Sequence, residues 1–112
     1  MNINIKATNT TLTESIRNNI YDKFALIESF LHPEDKLQVE IEEMARHKNG
    51  LTSRVEVHIH PRGQYAESQG NNFYEALDLL IPKIREQLSR SKDKKVSLRR
   101  RLGSIFKRNR IN

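Results

Sequence analysis

What most restricts the fold is a hydrophobic period that changes along the chain and then changes back. Leu12, Ile16, Ile20, Phe24, Ile27 and Leu31 recur at steps of three and four, as do Phe73, Leu77, Leu80, Ile81, Ile84 and Leu88. Between these segments Leu37, Val39 and Ile41, and then Val55, Val57 and Ile59, alternate with polar residues. A period near 3.6 lays one apolar stripe along a helix, and a period of two gives a strand one apolar face. Two striped helices and a set of half-apolar strands bury those surfaces only against each other, so the chain is expected to form an α+β two-layer sandwich.

Local punctuation sets the boundaries. Residues 2–7 alternate, with Ile3 and Ile5 on one side, and read as a first strand. Thr11-Leu12-Thr13-Glu14 has the form of a capping box, in which Thr11 and Glu14 would satisfy amides of the first turn. It predicts a helix near 12–31, stopped by His32-Pro33 because the residue before proline avoids helical angles. A second strand is expected over 36–45, with a turn at Asn49-Gly50. A third strand runs through Val55, Val57 and Ile59 to a turn at His60-Pro61-Arg62-Gly63, and a fourth covers 64–69. Asn72 and Glu75 repeat the capping logic at the start of helix two. Pro82 projects almost opposite the centre of that helix's stripe, where it should bend the helix without breaking it. The expected order is β-α-β-β-β-α: a four-stranded sheet with two helices on one face and a polar opposite face.

Charge divides the chain differently. From Arg90 to Arg110 there are ten Lys and Arg against the single acid Asp93, a net +9, whereas residues 1–89 carry −3. A domain over 1–95 followed by a basic, flexible tail over 96–112 fits this split. Like-charge blocks of this kind are interaction tails for polyanions, with nucleic acid the first reading and an anionic membrane surface another. Within the tail Leu98, Leu102, Ile105 and Phe106 fall at i, i+4, i+7 and i+8 among Arg99, Arg100, Arg101, Lys107, Arg108 and Arg110. That is the pattern of a basic amphipathic helix, but its shortness and Gly103 favour disorder in the free protein.

Other function classes find little support. There is no Cys, which removes disulfides and thiolate chemistry and suits a cytoplasmic protein. No apolar run approaches the roughly 20 residues of a membrane span, and the N-terminus reads as a strand instead of a signal peptide. His58 and His60 share one side of a strand, but two ligands do not make a zinc site. No nucleophile elbow or Gly-rich phosphate loop is present, so neither metal, cofactor nor catalysis is expected. Seven Phe and Tyr and no Trp supply little aromatic platform for stacking bases. The basic residues of helix two are more regular: Lys83, Gln87, Arg90 and Lys94 line one flank of the stripe, and Arg85 and Lys92 mark the other. A double-stranded RNA-binding domain shares the α-β-β-β-α part of the order, but its second helix starts with a basic cluster, and here that start is acidic through Glu75 and Asp78.

Two sets of segments stand out: Leu12-Thr13-Glu14-Ser15-Ile16-Arg17 with Lys23-Phe24, and Gly70-Asn71-Asn72-Phe73-Tyr74-Glu75-Ala76-Leu77-Asp78 leading through Lys83-Ile84 and Gln87-Leu88 to Lys92-Asp93-Lys94. In this order they resemble the ribosome hibernation promoting factors, also called ribosome-associated inhibitor or sigma-54 modulation proteins. The resemblance spans roughly residues 2–95 and implies the same β-α-β-β-β-α fold. It further implies a non-enzymatic inhibitor that binds rRNA of the small ribosomal subunit in the mRNA and tRNA channel of idle ribosomes. The partners would be that subunit, its rRNA and the assembled ribosome, with no small-molecule substrate, and the free protein would be a monomer. On the matching positions the rRNA contacts would be Arg17, Lys23, Lys83, Arg90, Lys92 and Lys94, to which the tail charge adds Lys95, Arg99, Arg100 and Arg101. Lys23 projects into the apolar stripe, so its stem should pack beside Phe24 while its ammonium reaches out. The family often has a second basic residue where this chain has Leu26, and an acid where it has Pro82. Long members carry a C-terminal dimerisation domain that 112 residues would not hold, and one short class ends in an acidic tail where this one is basic. Promotion of ribosome dimers and inactivation of single ribosomes are both left open.

Overall fold

The computed structural model of the chain describes residues 1–45, 50 and 52–90. Strand β1 (Asn2–Thr8) leads into helix α1 (Glu14–Ala25) and a short 3-10 turn (Glu28–Phe30). Strands β2 (Lys36–Glu43), β3 (Ser53–His60) and β4 (Gln64–Gly70) follow, and helix α2 runs over 73–90 to the limit of the described residues. The sheet order is β1-β2-β3-β4, with β1 parallel to β2 and the other pairs antiparallel. Parallel neighbours need a crossover, which α1 supplies. The expected α+β order is therefore present.

Strand directions also fix the helix directions. β1, β2 and β4 point the same way, and each helix turns back from the strand before it, so α1 and α2 lie parallel. Two contacts confirm this: Ser15 Oγ meets Tyr74 Oη at 2.7 Å, and further along both helices Lys23 Nζ meets Asp78 Oδ1 at 2.7 Å. The core lies between the layers. Ile20, Phe24 and Ile27 and the α2 residues Ala76, Leu77, Leu80, Ile81, Ile84 and Leu88 pack on Leu37, Val39, Ile41, Val55, Val57 and Ile59. Both predicted stripes are buried or packed against this cluster, while Leu26 and Leu79, outside the stripes, are exposed.

Helix one differs from the expectation at both ends. Its cap is Thr13, whose Oγ1 accepts the Ile16 amide at 3.2 Å in an extended conformation, so Leu12 precedes the helix and Thr11 plays no capping part. At the other end Leu26 and Ile27 donate to Lys23 and Phe24, three residues back, and the chain tightens into the 3-10 turn instead of continuing to residue 31. A 3-10 turn places i and i+3 on one side, which keeps Ile27 and Phe30 inward. The apolar spacing thus marks the buried face correctly without distinguishing the two helix types over one turn.

The second strand ends at Glu43, two residues early, although Met44 still donates to Thr52 O at 2.7 Å. The Asn72 cap is present, its Oδ1 accepting the Glu75 amide at 2.8 Å, but the Glu75 carboxylate accepts from the Asn71 side chain at 3.4 Å and leaves the Asn72 amide alone. Gly70 is needed just before it: a Cβ there would lie 2.8 Å from Ala76 N, so only glycine lets β4 close against the first turn of α2. Helix α2 passes unbroken through Pro82, which is exposed. The expected Asn49-Gly50 turn, apart from Gly50 with its φ of +75°, and the whole 96–112 tail lie outside the described residues.

Candidate nucleic-acid interface

The helix layer holds the described cations expected to touch RNA, but it does not gather them into one row. Ser15 and Lys23 mark the flank of α1 that faces α2. At about 100° per residue Arg17 projects roughly 120° from Lys23, onto the opposite flank towards β1. Arg17 is exposed, and its side chain has no partner among the described residues. Lys23 lies in the cleft between the helices, its side chain 35% exposed and its ammonium paired with Asp78.

Lys83 and Gln87 lie on the other flank of α2, over β4. Lys83 Nζ donates to the carbonyl of Glu67 at 2.9 Å, while Gln87 receives the Tyr65 amide at 3.2 Å and donates back to the Tyr65 carbonyl at 2.5 Å. These backbone groups belong to an edge strand with no neighbour beyond it among the described residues. Two side chains one helical turn apart therefore finish the edge of the sheet. Arg90, further along this flank, pairs with Glu86 at 2.6 Å, with both side chains mostly exposed. Lys92, Lys94, Lys95, Arg99, Arg100 and Arg101 lie outside the described residues.

Arg85 occupies the flank shared with Tyr74 and Asp78, facing α1, and its guanidinium carbon sits 6.0 Å from the centroid of Phe30. Phe30 is itself anchored: its carbonyl accepts Arg62 Nη2 at 3.0 Å, and Arg62 Nε donates to Asp35 Oδ1 at 3.1 Å. The Asp35 side chain is fully buried and also accepts the His32 amide at 2.7 Å. Burial pushes this carboxyl up, but the hydrogen bonds from Arg62 and His32 and the positive charge of Arg62 outweigh it and leave it below the ordinary carboxylate range. Asp35 thereby ties the turn after β3 to the connection between α1 and β2.

The outer sheet face is a contrasting charge system. Register places Lys6, Glu40, Glu56 and Glu67 in one row across four strands, and like charges directly opposed are unfavourable. Arg54, in the next row, resolves this: its guanidinium lies 2.5 Å from Glu56, 2.6 Å from Glu67 and 3.6 Å from both Glu40 and Glu42. Tyr65 adds its hydroxyl, donating to Glu56 at 2.9 Å and Glu67 at 2.8 Å. Hydrogen bonds from Arg54 and Tyr65 hold the Glu67 carboxyl below its usual range, and the bond from Tyr65 to Glu67, burial and the bond to Glu56 push Tyr65 up to about 12. His58 and His60 do project to one side, with rings 5.6 Å apart, and His58 rests edge-on against Tyr65. No group of three metal-ligating side chains occurs among the described residues. Neither the Arg54 hub nor the Asp35–Arg62 pair is visible locally in the sequence, since each depends on strands or turns brought together by the fold.

A profile of the family described as "Sigma 54 modulation protein / S30EA ribosomal protein" matches residues 3–96. The chain belongs to this family. Among its relatives, the ribosome hibernation promoting factor of Escherichia coli is 32% identical over 95 residues, covering 84% of this chain and 96% of that protein. The fold is similar to that of the Thermus thermophilus Protein Y N-terminal domain, with a TM-score of 0.64 at 22% identity over 80% of this chain and 98% of that one. It is also similar to a ribosomal subunit interface protein from Coxiella burnetii, with a TM-score of 0.63 at 17% identity over 83% and 99% of the respective chains. At these identities the two structures bear on the fold alone. No helix among the described residues is long and apolar enough to cross a membrane.

Proposed function

We propose that this protein is a cytoplasmic ribosome hibernation factor that inhibits translation without catalysis, by binding rRNA of the small ribosomal subunit in the channel used by mRNA and tRNA. The observation that carries the reading is membership of the family over residues 3–96, with a relative named for ribosome hibernation matched along 96% of its length. Phosphate contacts supply affinity and the shape of the channel supplies specificity. Arg17, Lys23, Lys83 and Arg90 make contacts from the helix layer, Lys92 and Lys94 continue them, and Lys95, Arg99, Arg100 and Arg101 extend the reach of the domain through the basic tail.

The layout of charge favours the helix side for this task. Arg54 on the outer face is committed to glutamates, whereas the Lys23–Asp78 pair, with side chains 35% and 56% exposed, is of the solvated kind worth roughly 0.2–1 kcal/mol. A phosphate can take over that ammonium at small cost. The test is sedimentation with purified ribosomes and isolated subunits through sucrose gradients at low and high salt. Salt-sensitive migration with the small subunit, with displacement of mRNA or tRNA, is the expected result, and a heavier ribosome-dimer peak would mark the dimer-promoting mode. Protein remaining at the top of the gradient at low salt overturns the reading.

A further inference from the structure

We propose that Arg85 is an additional phosphate contact of the helix layer, held in position by the ring of Phe30. This rests on the rRNA-binding reading above and adds a residue that the family resemblance does not supply. Among the described arginines, Arg54, Arg62 and Arg90 each meet a carboxylate, and Arg85 does not. Its partner is an aromatic face. That contact places the guanidinium over the ring and leaves its N–H donors unspent among the described residues, which is the state in which arginine takes a phosphate through two parallel hydrogen bonds.

The platform is rigid for a reason that can be traced through the molecule. Phe30 is held at its carbonyl by Arg62, and Arg62 by the buried Asp35. Phe30 also packs against the core. Arg85 therefore rests on a ring welded to the turn between β3 and β4, instead of sweeping freely from an exposed helix. On α2 it follows Asp78 by seven residues on the same flank, two turns or about 10 Å along the axis. Lys23 sits at Asp78, so Lys23 and Arg85 stand at two levels of one cleft and would reach separate phosphates. The acid at the first level tempers Lys23; among the described residues nothing comparable tempers Arg85.

The experiment measures binding of the full chain to purified small ribosomal subunits across a series of KCl concentrations. Arg85→Gln is compared with Lys6→Gln, which removes the same charge from the outer sheet face, and with Phe30→Leu, which keeps apolar volume and loses the ring. Thermal melts followed by circular dichroism establish that each variant is folded. Arg85→Gln is expected to weaken binding at low salt about three- to tenfold and to reduce the slope of log K against log salt by about 0.7–0.9, one phosphate contact. Lys6→Gln should leave the slope unchanged. Phe30→Leu should weaken binding about twofold with the slope retained, because the charge is present but no longer held, and Arg85→Lys should likewise keep the slope. If the wild type binds and Arg85→Gln follows either the wild type or Lys6→Gln, the role of Arg85 is overturned while the rRNA reading stands. If the wild type does not bind at any salt concentration, both fall together.

Discussion

On the outer face of the sheet one guanidinium, that of Arg54, serves four glutamates; on the helix layer Arg17 and Arg85 meet no carboxylate among the described residues. Both surfaces are charged and both would pass for solvated polar faces in a sequence. The difference lies in the geometry that presents them. Strand pairing sets side chains at fixed short separations, so charge there is neutralised by neighbours or it destabilises the sheet. A helix flank fans its side chains outwards, and the charge it carries remains available to a partner.

The comparison is broken most directly at Arg54. Replacing it with Met should lower unfolding stability at neutral pH by about 2–4 kcal/mol, because three opposed glutamates lose their counter-charge. Urea denaturation measures this, and a loss below about 0.5 kcal/mol would show the network to be an ordinary solvated face. Acid should shrink the deficit. The Glu67 and Asp35 carboxyls titrate lower in the folded chain than in the unfolded one, so their stabilisation is complete above the unfolded values of 4.5 and 3.8 and is lost as pH falls through the folded ones. Glu67 is the one of the two that Arg54 binds, so wild type and Arg54→Met should converge in stability as pH falls below 4.5 and through the lower, folded value of Glu67.

A smaller effect is expected at the edge of the sheet. Gln87→Ala frees the Tyr65 amide and carbonyl to water and should cost about 1 kcal/mol in urea denaturation, with more concentration-dependent light scattering as the edge of β4 opens. Smaller again is Asp78→Asn, which should change stability by less than about 1 kcal/mol. It should tighten binding to small subunits, since Lys23 no longer shares its charge with a protein carboxylate; weaker binding would mean that Asp78 positions Lys23. The finest test is spectroscopic. A tyrosinate absorbance titration should resolve a component near 12 that disappears in Tyr65→Phe. With its pKa raised, Tyr65 contributes stability that is complete below its unfolded value of 10.0 and is lost as pH climbs through about 12.

The fold was legible because periodicity reports burial directly: Leu37, Val39 and Ile41, or Leu77, Leu80, Ile81 and Ile84, declare their buried side by spacing alone. Element ends were less so, since the residues from Thr11 to Thr13 offer two hydroxyls for one cap and the apolar step from Phe24 to Ile27 suits an α or a 3-10 turn equally. At the site, Lys23 could be placed in the sequence because its projection within the stripe demands a snorkelling side chain. Lys83 could not, because its contact with the Glu67 carbonyl exists only once α2 lies along β4. Arg54 and Asp35 were invisible for the same reason: their partners are 13 and 27 residues away in Glu67 and Arg62. Contacts made across the fold leave no local pattern.

The parallel course of the two helices has an electrical consequence. Antiparallel neighbours cancel their backbone dipoles, whereas these add, with a positive pole where Glu14 and Glu75 occupy the first turns and a negative pole where the helices end. Side-chain charge runs against the dipole at both poles: acids sit at the start, and Lys23 and Arg90 gather towards the ends, where the cationic run of the chain begins. A polyanion bound by the helix layer, as proposed, would thus find Lys23 and Arg90 towards the ends of both helices and Glu14 and Glu75 at their starts, an asymmetry that favours one orientation in an anionic groove.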